Sequence, residues 1–310
     1  MGTAPALWML ASALAFATMG AQTFALGGRC DWLLIALVRA IAMFLMAVGL
    51  AWRKGVALPV FHPRTLWLRS LTGSLSLVCN FYAMTRLPVA DVLTITNTYP
   101  LWILILTAVA YHVMPTRGEV LGVIIGLAGV VLVQRPHLGG DRLASSLAVV
   151  ASLSTAVAML GLHRLRNVDA RAIVAHFAGV AAILSLIWMA ARGWPLGPRA
   201  DEPVTWLLLA GVAVSGTIGQ FFLTKAYASG PPGEVAVISL SQVAFGLMFD
   251  ILVWGRQVEP LSWLGFALVL APTAWLAGRA GSRSRQAAVA TRAAATKPEP
   301  RAYPVAADTP

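Results

Sequence analysis

Charge is scarce in this sequence of 310 residues. Only 11% of the residues are Asp, Glu, Lys or Arg, against about a quarter in an ordinary soluble domain. Cysteine is nearly absent. Cys30 and Cys79 stand in unlike contexts with no CxxC or Cys/His spacing, which argues against a disulfide framework and against a zinc site. No Walker A sequence occurs, so nothing points to ATP as an energy source. HExxH and the GxSxG elbow are missing too, and His163 to Asp169 fits no catalytic spacing. No cofactor, metal or enzymatic activity is expected from these residues.

What remains is apolar. Hydrophobic residues make up 58% of the chain, and mean hydropathy is +0.76. Runs of about 20 apolar residues, enough to cross a hydrocarbon core of about 30 Å, recur along nearly the whole length. A large soluble helical core would need polar helix faces that these runs lack. An all-α integral membrane protein, with the lipid bilayer as its surround, is the expected class. The net charge of +11 and pI near 10.8 could suggest nucleic acid. The basic residues, however, sit mainly between apolar runs and in the last segment, the pattern of membrane orientation signals. No nucleic-acid partner is expected.

The chain also repeats itself. The stretch from Ala83 to Pro100 returns in the second half, without a gap, as Ala226 to Val243. Pro88 then meets Pro231, Asp91 meets Glu234, Val92 meets Val235, Ile95 meets Ile238, Thr96 meets Ser239 and Thr98 meets Ser241, and the register persists to Gly122 and Gly265. Hydropathy places ten transmembrane helices at roughly 7–26, 32–52, 66–86, 89–111, 117–134, 143–163, 171–191, 204–228, 232–254 and 259–278. The first has no Lys or Arg ahead of it, so it reads as an uncleaved membrane helix, not a signal peptide. Residues 1–137 form one five-helix unit and 143–278 a second. Residues 279–310, rich in Arg, Ala, Ser and Pro, read as a disordered basic tail.

Five is odd, so the second unit must enter the membrane from the opposite side. A tandem sequence repeat thereby becomes an inverted-topology repeat, the plan of many secondary transporters with a midplane site between the halves. Placing both termini in the cytoplasm puts most of the Lys and Arg on the cytoplasmic side, the tail contributing a large share.

Polar side chains inside a span are costly and generally face protein or a water cavity. Asp91, Thr94 and Thr98 lie at i, i+3, i+7 in the fourth helix, with Asn97 beside them. Thr217, Gln220 and Thr224 share that spacing in the eighth. Ser239 and Gln242 lie three apart in the ninth with Ser241 between them, and Asn80 and His176 stand alone in the third and seventh. Each hydroxyl has a structural alternative, a bond to the i−4 carbonyl or close helix packing. The amides Asn80, Gln220 and Gln242 are stronger candidates because an amide needs several partners. His176 could equally be packed against a neighbouring helix. Asp91 and Glu234 sit at helix starts, where they complement the helix dipole. Pro100 removes one backbone bond inside the fourth helix and frees the carbonyl of Thr96, so a kink beside Asn97 and Thr98 is expected to mark a pocket. Asn80, Thr94, Asn97, Thr98, Gln220, Ser241, Gln242 and His176 are the expected substrate-binding set. Gly118, Gly122 and Gly126 form two small-xxx-small steps, suited to helix packing or to a homodimer seam.

The segment Ala83-Met-Thr-Arg-Leu-Pro-Val-Ala-Asp-Val, with Tyr99-Pro100 and then Gly122-Val-Ile-Ile-Gly-Leu-Ala-Gly129, resembles the EamA family of the drug/metabolite transporter superfamily. The second copy, Lys225-Ala-Tyr-Ala to Glu234 and then Gly265, is similar to that family's second repeat. The resemblance implies a ten-helix bundle of inverted halves that moves a small molecule by alternating access. The family's substrates range over amino acids, nucleotide-like metabolites, vitamins and drugs. Many members carry Gly-Glu ahead of the fifth and tenth helices, where this chain has Val113 and Arg256, so no role passes to those positions. The function expected is secondary transport of a small polar or amphipathic metabolite in a cytoplasmic-type membrane. The alternative is a non-transporting membrane scaffold or receptor.

Overall fold

A computed structural model describes residues 4–27, 29–84, 86–136, 141–193, 202–255 and 257–295. They form twelve helices: α1 (Ala4–Ala25), α2 (Trp32–Arg53), α3 (Arg64–Met84), α4 (Val89–Thr96), α5 (Tyr99–Tyr111), α6 (Arg117–Gln134), α7 (Arg142–Arg164), α8 (Ala170–Arg192), α9 (Pro203–Ser229), α10 (Pro232–Ser239), α11 (Ser241–Trp254) and α12 (Pro260–Ala295). The ten expected spans are all present, the fourth divided into α4 and α5 and the ninth into α10 and α11. The protein is an all-α integral membrane protein built of two five-span repeats.

The few acids of the chain are concentrated at helix starts. Asp31, Asp141 and Asp169 each accept a hydrogen bond from a first-turn backbone N–H of the helix that follows. Thr116 and Glu119 form a reciprocal capping box at the start of α6. Such caps satisfy donors that a helix leaves open and are worth about 1 kcal/mol each.

Nine spans are long and apolar enough by composition to cross a membrane among the described residues. The exception is α3, which carries Arg64, Arg69, Ser70, Ser74, Ser76 and Asn80. On insertion scales a central Arg costs about 2.5–3.5 kcal/mol. The fold meets this cost by burying Arg69, Ser70, Ser74 and Ser76 in protein, since α3 lies against α7 and α8.

The principal helix pairs are α1 with α9, α3 with α7, α2 with α8 and α6 with α12, and each joins one repeat to the other. Exchanging the repeats turns α1–α9 into α7–α3 and leaves α2–α8 and α6–α12 unchanged, as a pseudo-two-fold axis requires. The relation holds at single residues. Ser12 donates to the Gly219 carbonyl at 2.8 Å. In the exchanged pair α7–α3, the hydroxyls of Thr155 and Ser76 share a hydrogen bond of 2.6 Å. Between α6 and α12, a Cβ at Gly129 would stand 2.6 Å from the Gly265 carbonyl, and the counterpart of that contact is Gly122 against Pro272.

The glycine stripe of α6 is therefore used inside the chain. Gly118 lies against Trp275, Gly122 against Val237 and Pro272, and Gly126 against Leu240. That stripe serves helix packing, the first of the two uses its spacing suits. The tail also differs from expectation. Helix α12 continues beyond Gly278 to Ala295, and residues 296–310 lie outside the described residues. The segment after Gly278 is rich in Ala, Arg and Gln, strong helix formers, and it extends an existing helix without a new nucleation step.

Candidate functional site

Both broken spans fail at the same repeat position. In the first, α4 ends at Thr96 and α5 begins at Tyr99. The intervening N–H groups of Asn97 and Thr98 reach Leu93 and Ile95 at 2.9 and 3.1 Å, and Leu101 reaches Thr98 at 2.9 Å. Here Pro100, which cannot donate to Thr96, explains the interruption. In the second span the break falls at Leu240, the counterpart of Asn97, with Leu240 bonded to Val237 at 3.2 Å and Val243 to Leu240 at 3.0 Å. Val243 stands where Pro100 would be, so another cause is needed. Ser239 and Ser241 supply it, donating to the i−3 carbonyls of Ala236 and Ile238 at 2.6 and 2.7 Å. Such local bonds compete with the helical ladder.

The expected site residues divide into two groups. In the first, side chains are satisfied close to home. Thr94 donates to the Ala90 carbonyl at 2.8 Å and Asn97 Nδ2 to the Leu93 carbonyl at 2.7 Å. Ser241 is fully buried and bonded to Ile238. Thr98 donates to Ile95 at 2.6 Å and shares a 2.9 Å bond with Ser152 of α7. His176 bonds through Nδ1 to Ser70 at 2.8 Å and through Nε2 to the Val60 carbonyl at 3.1 Å. Both of its nitrogens are engaged, which is a packing arrangement. The hydrogen bonds of Asn97, Thr98 and Ser241 thus run to their own helices or to α7, and they do not join the two breaks to each other.

The second group has capacity left over. Asn80 Oδ1 and Gln220 Nε2 are buried and have no hydrogen-bond partner among the described residues. One is an acceptor and the other a donor, on α3 and α9, which are equivalent helices of the two repeats. An unmade bond at a buried polar atom costs about 1–3 kcal/mol, so these atoms call for a ligand or water. Gln242, beside the second break, is exposed.

What does join the two broken spans is a pair of which side-chain spacing singled out only one member, Ser239. The Tyr99 hydroxyl at the head of α5 hydrogen-bonds Ser239 at the foot of α10. Tyr227 of α9, 0% exposed, packs beside them, its hydroxyl without a well-formed bond among the described residues. Around this contact lie Met9, Ile103, Ala156, Leu223, Val235 and Ile238. Its sequence signals were the position of Tyr99 directly before Pro100 and Ser239 in the spacing of the ninth span; Tyr227 matches Met84 in the repeat, so no duplication marks it. A groove of about 420 Å³ between α3 and α8 is lined by Leu71, Leu75, Val78, Leu184, Ile187 and Trp188, among others. That lining suits hydrocarbon and not a polar solute.

An inverted pair of helical repeats, with a broken span in each and unsatisfied amides on equivalent helices, is the framework of a membrane transport protein. The chain belongs to the EamA-like transporter family, whose model matches residues 3–135 and 142–277. Over 215 residues it is 27% identical to an uncharacterized transporter of Helicobacter pylori strain J99, covering 67% of this chain and 71% of that protein. It is 26% identical over 240 residues to the pseudopaline exporter CntI of Pseudomonas aeruginosa strain UCBPP-PA14, covering 74% and 82%. With the biotin transporter of Salmonella typhimurium strain LT2 the identity is 26% over 248 residues, covering 72% and 81%. A solved crystal structure shares the fold with a TM-score of 0.76 at 18% identity, over 91% of this chain and 99% of the other.

Proposed function

We propose that this protein is a secondary transporter, and not an enzyme, moving a small polar or amphipathic metabolite by alternating access. The substrate would be amino-acid-like, nucleotide-like or vitamin-like, and the membrane the bacterial inner membrane with both termini in the cytoplasm. The observation that carries this reading is the pair of breaks at Asn97 and Leu240, equivalent positions in inverted repeats, with the Tyr99–Ser239 bond closing the interface between them. A two-fold related pair of hinged spans lets the same contacts open toward either side in turn. The relatives named for pseudopaline and biotin support a small organic solute.

Of the eight candidate residues, Asn80 and Gln220 are proposed to touch the substrate, because their buried atoms lack partners among the described residues. Thr98 and Gln242 line the path beside the breaks. Thr94, Asn97, Ser241 and His176 shape the helices that hold them. The test is untargeted metabolite profiling of cells and medium, with and without the protein. A defined set of small solutes should change its distribution between the two compartments. An unchanged distribution would favour a scaffold or receptor.

A further inference from the structure

Two arginines lie inside the bundle, and neither has an acidic partner among the described residues. Arg69, on α3 about 8 Å from the helix start, is 1% exposed. Its Nε and Nη1 have no hydrogen-bond partner among the described residues. Its guanidinium carbon sits 4.2 Å from the centre of the Phe177 ring of α8. Gly73 makes the room, since a Cβ there would collide with the guanidinium, and Gly161 of α7 lies alongside the Arg69 stem. The second arginine, Arg39 of α2, lies with its Nε buried and unpartnered among the described residues against Gly216 of α9 and Met19 of α1, 5.9 Å from the Phe16 ring. Gly216 is the counterpart of Gly73 in the repeat register. The pseudo-two-fold axis therefore sets one guanidinium beside the equivalent glycine in each of two equivalent clefts, α3–α8 and α2–α9. The sequence does not repeat the arginine itself, since Val212 matches Arg69. Both charges come from the first repeat, one on α2 and one on α3.

An aromatic face offsets only part of the cost of a buried cation, and an unpaired charge in this position is destabilising unless something neutralises it. Guanidinium presents a fork of N–H donors whose geometry matches a carboxylate or phosphate. We infer that Arg69 is an oxyanion-binding site, with Arg39 as its counterpart in the equivalent cleft, and that the transported molecule carries a carboxylate or phosphate group. This rests on the transport reading above.

The test uses the full-length protein purified in detergent, with thermal unfolding read at matched ionic strength in succinate, inorganic phosphate or sodium chloride. Succinate or phosphate should raise Tm saturably over chloride. In Arg69→Met, which keeps the volume and removes the charge, that response should vanish while Tm without anion stays level or rises. Arg69→Lys, which keeps the charge but not the fork, should need about tenfold more anion. The inference is overturned if neither anion raises Tm, if the response survives in Arg69→Met, or if Arg69→Lys responds like the parent. A response confined to phosphatidylglycerol micelles would assign the site to a lipid headgroup and overturn the substrate assignment. Metabolite profiling separates the two readings. Redistribution only of solutes that carry neither a carboxylate nor a phosphate group overturns the oxyanion inference and leaves transport standing. An unchanged profile overturns transport, and with it the substrate assignment.

Discussion

Gly129 and Gly265 meet backbone to backbone across the α6–α12 seam: a Cβ on the first would lie 2.6 Å from the second's carbonyl oxygen, and the reverse distance is 2.7 Å. Gly122 lies against Pro272 at the symmetry-related point, so the seam is close along its length. Gly129→Val should therefore overpack the seam and cost about 1–3 kcal/mol or more, seen as a lower Tm in detergent and less folded protein in the membrane. Gly20 has nothing within 4 Å of where a Cβ would be. Gly20→Ala should keep or raise Tm, since Ala is favoured over Gly in a helix by about 1 kcal/mol. Equal tolerance of both changes would mean that the α6–α12 contact is looser than this.

The Tyr99–Ser239 bond joins α5 of one repeat to α10 of the other, so it holds the halves in one arrangement. A net hydrogen bond is worth about 0.5–1.5 kcal/mol, which converts to a shift of about two- to twelve-fold between two conformations. Tyr99→Phe and Ser239→Ala should each raise the open population, read as faster labelling of a cysteine introduced at Ala156. The double variant should do little more than either single one, because both remove the same bond. Additive effects would show that the two hydroxyls act separately.

Much of this fold was legible in the sequence. The constant register between the two halves and the apolar runs gave the ten spans and the two-fold relation, and Pro100 gave the first break. The second break was not legible, because Val243 stands at the proline's place and two serines bend the span instead. The helical continuation to Ala295 was hidden by composition: Arg and Ser there read as disorder, although Ala-rich sequence attached to a formed helix stays helical. Hydroxyl spacing pointed to Thr94, Thr98 and Ser241, whose bonds proved local except for the one Thr98 shares with Ser152. Spacing along one helix cannot say which neighbour a side chain meets, and so Tyr99 with Ser239, and Arg69 with Phe177, appear only in three dimensions.

Topology is open to a thiol test. With both termini in the cytoplasm, the connection between α1 and α2 faces outward and carries Cys30, which is partly exposed. Burial and the neighbouring Asp31 carboxylate both disfavour the Cys30 thiolate and raise its pKa above the ordinary value. The thiolate is the reactive form, so labelling of intact cells by a membrane-impermeant maleimide should be slow near neutral pH and accelerate as pH rises toward that pKa. Cys79 is buried in α3 and should stay unlabelled. Labelling of Cys30 only after cell lysis would reverse the orientation. Reporter fusions after Lys54 and at Pro310 should both give cytoplasmic signals.

The candidate substrate contacts can be separated from their structural neighbours by comparing Gln220 with Asn97. Gln220 is buried with its Nε2 unpartnered among the described residues, so Gln220→Leu keeps most of the volume and removes a donor that nothing among those residues satisfies. Stability should then hold or improve, because the desolvated group is gone. Transport, if Gln220 meets the substrate, should lose one uncharged hydrogen bond, about two- to twelve-fold in apparent affinity. Asn80→Leu removes the unpartnered acceptor on the equivalent helix and should behave alike. Asn97 differs, because its Nδ2 already donates to the Leu93 carbonyl at 2.7 Å beside the break. Asn97→Ala should lower Tm by an amount matching about 0.5–1.5 kcal/mol while leaving affinity near that of the parent. The measurement is uptake or efflux of whichever solute profiling identifies, read against Tm for each variant. The opposite pattern, with affinity lost in Asn97→Ala and kept in Gln220→Leu and Asn80→Leu, would move the substrate from the α3 and α9 amides to the broken span itself.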